Sequence, residues 1–368
     1  MSKVYFSDLH VHAGDSLLKK FNRLIKEAGI DKIDFNDKFV AIKIHFGEYG
    51  NLAFLRHQYA KVLCDYIKEK GGKPFLTDCN TLYVGSRNNA LNHLECAYLN
   101  GYNPLSTGVH TIIADGLRGT DERLIPVEKG EFVKEAKIGS AISEADILIS
   151  LTHFKGHMST GFGGTLKNIG MGSGSKKGKM EMHSSGTAWV DEKKCIGCKM
   201  CEKHCNHQGV TVNNKKAIID EEQCLGCGYC LAYCPTGAIQ TKWDEAKPIL
   251  NKKIAEYTKG AINDKPNFHI SLIVNVSPDC DCEGGNDYAI IPDIGMLASF
   301  DPVSLDQACV DMANNAPITN EAIMHTHDEE EHHDIFKMVH PNTDWEAGLI
   351  HAEKIGLGER KYELIEVK

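Results

Sequence analysis

Phe39-Val40-Ala41-Ile42-Lys43-Ile44-His45-Phe46-Gly47 is an apolar, β-branched run closed by a glycine. It reads as a strand. From about Ala53 to Lys70 the pattern changes to a helical period, with Leu55, Tyr59, Val62, Leu63 and Ile67 on one face. Gly71-Gly72 ends that helix. Pro74-Phe75-Leu76-Thr77-Asp78 is the next strand. Strand, helix and strand in this order make a crossover unit, and the alternation continues outward. A helix is expected near Asn88–Asn100, a strand at His110–Ala114, a helix at Ile138–Glu144 and an apolar strand at Asp146–Leu151. The fold class is α/β, with a mostly parallel sheet flanked by helices. The pattern resumes late in the chain with a helix at Pro248–Ala261, a strand at His269–Val276, and helices at Leu305–Asn314 and Trp345–Ile355.

Between these halves lie eight cysteines in two runs of C-x2-C-x2-C-x3-C. Cys195, Cys198, Cys201 and Cys205 form the first, and Cys224, Cys227, Cys230 and Cys234 the second, with Pro235 after it. A pair of zinc sites or of disulfides would also use cysteines, but two complete runs at this spacing resemble bacterial-type ferredoxins that hold two [4Fe–4S] clusters. In those proteins the fourth cysteine of each run serves the other cluster. The resemblance therefore implies one cluster on Cys195, Cys198, Cys201 and Cys234 and another on Cys224, Cys227, Cys230 and Cys205. Gly197, Gly226 and Gly228 provide the backbone freedom such loops need. Asn206 departs from the proline usual after the first run, at a position that holds no metal. Val210–Val212 and Ala217–Ile219 are expected to pair as a hairpin across Asn213-Asn214. The division expected is an α/β domain in two parts, 1–187 and 244–368, with an inserted α+β ferredoxin-like unit at 188–243. The last part alone has too few strands for its own core.

The chain has 368 residues, a net charge of −9 and 42% hydrophobic residues. That balance allows a large core and argues against a nucleic-acid partner. No apolar run is long enough to span a bilayer, and the N-terminus lacks an apolar leader, so a cytoplasmic protein is expected. Fourteen cysteines there read as metal ligands and free thiols.

Thr152-His153-Phe154-Lys155-Gly156-His157 follows a strand, where α/β sheets bind ligands. His45 occupies the same place after another strand, with Glu48 nearby. His45, His153, Lys155 and His157 are the candidate catalytic residues, moving protons or binding metal. Gly163, Gly164 and Lys167 precede or open a helix and are a candidate anion site. Cys280 and Cys282, one residue apart after a strand, either ligate a soft metal as a second site, face a cluster, or stay free thiols. The His325–His333 stretch has metal-ligand residue types but reads as a solvated charged segment. His10 and His12 are weaker candidates. Cys64, Cys79, Cys96 and Cys309 read as buried thiols, and Pro292-Asp293-Ile294-Gly295 as a turn.

The segments at 152–157, 163–170 and 277–282, with Pro292–Gly295, Ala298-Ser299 and Asp301–Val303, resemble the family called domain of unknown function 362. Many members carry a two-cluster insert. The resemblance spans nearly the whole chain and implies that these stretches surround one site, while the family's reaction is unassigned. Two functions follow as expectations. One is an iron–sulfur oxidoreductase whose clusters feed a substrate, metal or anionic ligand in the α/β part. The other is an electron-transfer or docking subunit for a redox partner protein, without chemistry of its own.

Overall fold

The computed structural model describes residues 1–184, 187–205, 207–224, 226–319 and 334–368. Eight strands form one sheet, in the order Tyr362–Glu366, Ser2–Asp8, Gly295–Ser299, Asn267–Ile273, Ile147–His153, Phe39–Ile44, Lys73–Asp78 and Thr111–Ile113. Only Gly295–Ser299 runs antiparallel to its neighbours. The other pairings are parallel. From Phe39–Ile44 the chain moves outward to Lys73–Asp78 and Thr111–Ile113, then returns to Ile147–His153 on the opposite side. The direction of winding therefore reverses between Phe39–Ile44 and Ile147–His153, which opens a crevice at their carboxyl ends.

The alternation of side chains across the sheet divides the core into two layers. Val40, Ile42 and Ile44, with Ile147, Ile149 and Leu151, pack under Phe21, Leu24, Tyr59, Leu63 and Ile67 of helices Leu17–Glu27 and His57–Glu69. Ala41 and Leu148 face the other way, toward Leu166, Ile169, Leu250, Ile254, Val303 and Leu305 of helices Thr165–Ser173, Lys247–Ile262 and Pro302–Asn314. Burying each such side chain stabilises by roughly 1.5–3 kcal/mol. Ser16 caps the first of these helices, and Asp301, ahead of Pro302, caps the last.

Several elements differ from the sequence reading. The helix expected from Ala53 starts at His57, because Asn51 folds the preceding residues into a turn against Glu283. Ile138 and Gly139 belong to strand Glu135–Gly139, which pairs with Glu122–Pro126, so only Ser140–Glu144 of the expected helix is helical. Gly295 begins a strand; a Cβ there would lie 2.5 Å from the Phe6 ring, so the antiparallel strand passes its neighbour only as glycine.

In the cysteine-rich stretch, Ala188–Val190 pairs with Ile239–Thr241, and Val210–Asn213 with Lys216–Ile219, both antiparallel. The hairpin turns at Asn214 and Lys215, both at positive φ (48° and 61°), one residue beyond the expected turn. Short helices Met200–Lys203 and Tyr229–Tyr233 follow two of the cysteine loops. A small third core, including Leu82, Met180, Val210, Leu231 and Ile239, packs here. The chain on either side of this stretch enters the same sheet, since Ile147–His153 pairs with Asn267–Ile273. Among the described residues, no helix is long and apolar enough to cross a membrane.

Candidate functional site

At the carboxyl end of the switch-point crevice lies a cavity of about 440 Å³. Strand Phe39–Ile44 delivers Lys43 and His45 to it, strand Lys73–Asp78 delivers Asp78, and helix Thr165–Ser173 delivers Lys167 and Asn168. Lys155 and His157 come from a short strand, Lys155–His157, folded back on Gly161–Gly163. Positions two apart in a strand share a face, so both side chains reach the cavity. Gly156 between them donates its N–H to the Ser277 carbonyl (2.8 Å), and a Cβ on it would stand 2.1 Å from the Pro278 oxygen. Glycine is thus what lets this hairpin lie against the 277–283 loop.

Asp281 holds that loop in place. It is fully buried, and its carboxylate meets His153 Nδ1 at 2.8 and 2.9 Å and Lys155 Nζ at 3.3 Å. Burial pushes the carboxyl up, but His153 and Lys155 outweigh this and hold it well below the ordinary range. The other ring nitrogen of His153 faces the Val274 carbonyl at 2.7 Å. Both nitrogens therefore face acceptors, the pattern that a protonated imidazole satisfies. His153 does not line the cavity; it anchors the loop that does.

Arg87 organises the opposite wall. Its Nε donates to Glu48 (2.9 Å), one terminal nitrogen to His45 Nε2 (2.8 Å), and the other to the Tyr83 hydroxyl (2.6 Å). Tyr83 in turn donates to the Cys282 carbonyl. An arginine only donates, so His45 Nε2 accepts and the ring is neutral. Burial and the Arg87 charge push its pKa well down. Glu48 is committed to Arg87 and Ser86, and is not an acid–base partner of His45.

The predicted backbone anion site is already filled from within. The N–H groups of Thr165 and Leu166 donate to the buried Asp306 carboxylate at 2.6 and 2.9 Å. A Cβ on Gly164 would collide with that carboxylate at 2.4 Å. Gly164 makes room for Asp306, and Gly163 lies against the Lys155 stem. Lys167 does reach the cavity, with Nζ 3.4 Å from Cys280 Sγ. Burial would lower its ammonium pKa, but the thiols beside it outweigh that and raise it.

Cys280 is buried, and Cys282 is half-buried on the cavity wall. His157, Cys280 and Cys282 bring ligand-type atoms within 4.8 Å of one another, a possible metal site. A hydrogen bond from Cys282, then the Lys167 and Lys155 charges, lower the Cys280 thiol, and Cys282 is raised as its partner. Burial and Lys167 push His157 down to about 4, so it is neutral at pH 7.

Lys179, His183 and Trp243 complete the wall and lie outside the motifs singled out from sequence. Five of the lining residues are cationic (Lys43, Arg87, Lys155, Lys167, Lys179) and two are carboxylates (Asp78, Glu283). Lys43 pairs with Asp78 (2.9 Å), and Lys167 and Lys179 form no ion pair among the described residues. Asp293 instead accepts from the Asn275 N–H at an exposed turn, and His10 and His12 stack edge-on at the surface. Cys64, Cys79, Cys96 and Cys309 are buried. The His325–His333 stretch lies outside the described residues.

Two further groups of thiols stand beside this cavity. Cys195, Cys198, Cys201 and Cys234 line one small hollow, and Cys205, Cys224, Cys227 and Cys230 line another. All fourteen cysteines are free. Backbone N–H groups of Ala217 and Ala238 donate to Cys195 and Cys234 sulfurs at 3.3 and 3.2 Å.

No curated protein matches the chain. Among solved structures it is similar to a lactate racemase apoprotein from Thermoanaerobacterium thermosaccharolyticum, at 13% identity and a TM-score of 0.41, over 74% of this chain and 51% of that one. A protein from Thermotoga maritima is similar at 13% identity and a TM-score of 0.39, over 81% and 58% of the two chains. The chain thus spans about half the length of these structures. The model of the family described as domain of unknown function (DUF362) matches residues 40–311, and the chain belongs to that family.

Proposed function

We propose that this cysteine-rich protein is an iron–sulfur redox protein that serves an anionic substrate in the switch-point cavity. Residues 188–243 are the ferredoxin-like insert in this reading. Cys195, Cys198, Cys201 and Cys234 would hold one [4Fe–4S] cluster, and Cys224, Cys227, Cys230 and Cys205 the other. The donor set fits: four thiols converge on each of two hollows, and in the first of them backbone N–H groups point at the Cys195 and Cys234 sulfurs. When bound, such clusters supply one-electron transfer.

One observation carries the link to the cavity. Helix Lys176–His183 serves both sites: Met180 lines the hollow of the second thiol group, while Lys179 and His183 line the cavity. The two sites are therefore separated by about one helix diameter, ~10–12 Å. At the far end, Cys198 is exposed and Ile196 is 61% exposed, an edge suited to a redox partner protein. The cationic lining favours an anionic substrate, with Lys167 and Lys179 as its charge partners. Neutral His157 and His45 line the cavity beside these lysines. A cavity of this volume with convergent polar groups favours a site with its own chemistry over a pure docking subunit.

Anaerobic reductive titration tests the reading, following visible absorbance. Wild type should bleach reversibly in two one-electron steps. Cys234→Ser and Cys205→Ser should each perturb one step and spare the other. A chain without reversible bleaching, or one in which both variants titrate like wild type, would rule it out.

A further inference from the structure

Cys280 and Cys282 invite reading as a metal site, but two contacts oppose it. A histidine that ligates a metal donates its remaining N–H to an acceptor. Nδ1 of His157 instead accepts from the N–H groups of Ser159 (3.0 Å) and Thr160 (3.2 Å), so the ring proton sits on the other nitrogen. That proton occupies the position a ligand lone pair would need. The Lys167 ammonium, 3.4 Å from Cys280 Sγ, also repels a second cation there. The same contacts suit a thiolate: an ammonium and an imidazole N–H surround one sulfur, and the other faces an open cavity.

We propose that Cys280 and Cys282 are a redox dithiol that reduces a small, carboxylate-bearing disulfide bound in the cavity. The half-buried Cys282 is the attacking thiol, because it lines the cavity while Cys280 is buried behind it. Cys280 thiolate takes the Cys282 proton. Cys282 sulfur then attacks the substrate S–S bond, forming a mixed disulfide and releasing one substrate thiolate. Cys280 next attacks the Cys282 sulfur, and its proton goes to the second substrate thiolate as that leaves. One substrate disulfide becomes one thiol and one thiolate, the latter taking its proton from water, and the Cys280–Cys282 disulfide carries the two-electron oxidation. Lys167 and Lys179, which form no ion pair among the described residues, select carboxylates on the substrate. This exchange needs only the dithiol, so it stands or falls separately from the cluster reading.

The test incubates the full chain anaerobically with dithiodipropionate or with neutral bis(2-hydroxyethyl) disulfide. Free thiols are then alkylated, and the peptide holding both cysteines is weighed. Iron is counted in the same samples. Wild type should yield a peptide lacking two hydrogens and escaping alkylation. Cys280→Ser should trap a mercaptopropionate adduct on Cys282, and Cys282→Ser should give neither product. The carboxylated reagent should react at least about tenfold faster than the neutral one, and Lys167→Ala should narrow that gap. Failure of the cluster reading would appear as missing iron with these products intact. Full alkylation of both cysteines in wild type, an adduct no faster than at exposed Cys198, or zinc held on this pair would overturn the proposal.

Discussion

Asp281→Asn tests how the cavity is held together. The native carboxylate takes two contacts from His153 (2.8 and 2.9 Å) and one from Lys155 (3.3 Å), with no exposure to water. An amide keeps the shape but removes the charge, and turns an N–H toward groups that themselves only donate. Removing one partner of a buried charge pair costs about 3–5 kcal/mol. That is roughly two to three and a half orders of magnitude in the ratio of folded to unfolded chain. With an m-value of about 3 kcal/mol/M, the urea midpoint should fall by ~1–1.7 M at unchanged slope. The assay is equilibrium urea unfolding of both proteins at pH 7. Because the folded carboxyl lies below its ordinary value of 3.8, its contribution is full above that pH. It is lost only as pH falls further, through the folded value, so the wild-type carboxylate should contribute equally at pH 5 and pH 8. A midpoint drop below about 0.3 M would refute the view that Asp281 anchors the loop.

Three other outcomes follow from single contacts. Burial pushes Asp115 up to about 6, against 3.8 ordinarily, so its contribution is full below pH 3.8 and lost as pH rises through 6. Asp115→Asn keeps an acceptor for Asn80 and should gain about 3 kcal/mol on wild type between pH 4 and pH 7, measured by denaturant unfolding; a pH-independent difference would contradict this. Gly156→Ala would drive a methyl into the Pro278 carbonyl and should cost about 1–3 kcal/mol, with altered alkylation of Cys282; unchanged stability and reactivity would oppose the close approach. Lys167→Ala and Lys179→Ala should each weaken binding of a dicarboxylate probe by roughly tenfold to a hundredfold in calorimetry, whereas an uncharged analogue should bind all three proteins alike.

The central strands were legible because a sheet buried on both faces demands unbroken apolar runs, as at Ile147–Leu151. The peripheral strands were not. Tyr362–Glu366 and Ser2–Asp8 are half-exposed and mix charges with apolar residues, and Gly295 carries a turn residue into a strand. At the site, strand-end position singled out His45, His153, Lys155 and His157, but position could not separate their roles. His153 is an anchor because Asp281 and Val274 both face it, and these lie over a hundred residues away in sequence. Asp306 likewise occupies the helix start at Thr165 from a distant helix, which the glycines alone did not reveal. Arg87, Lys179 and His183 carry no local motif; their place depends on tertiary packing. Asp281 had a signal, a carboxylate flanked by two cysteines.

In the proposed reading the eight thiols of the two cysteine runs hold two clusters beside a cavity with its own chemistry. Iron and acid-labile sulfide, counted per chain in anaerobically purified protein together with zinc and nickel, test it most directly. About eight iron, about eight sulfide and no further transition metal are expected. About two zinc per chain and no sulfide would contradict it.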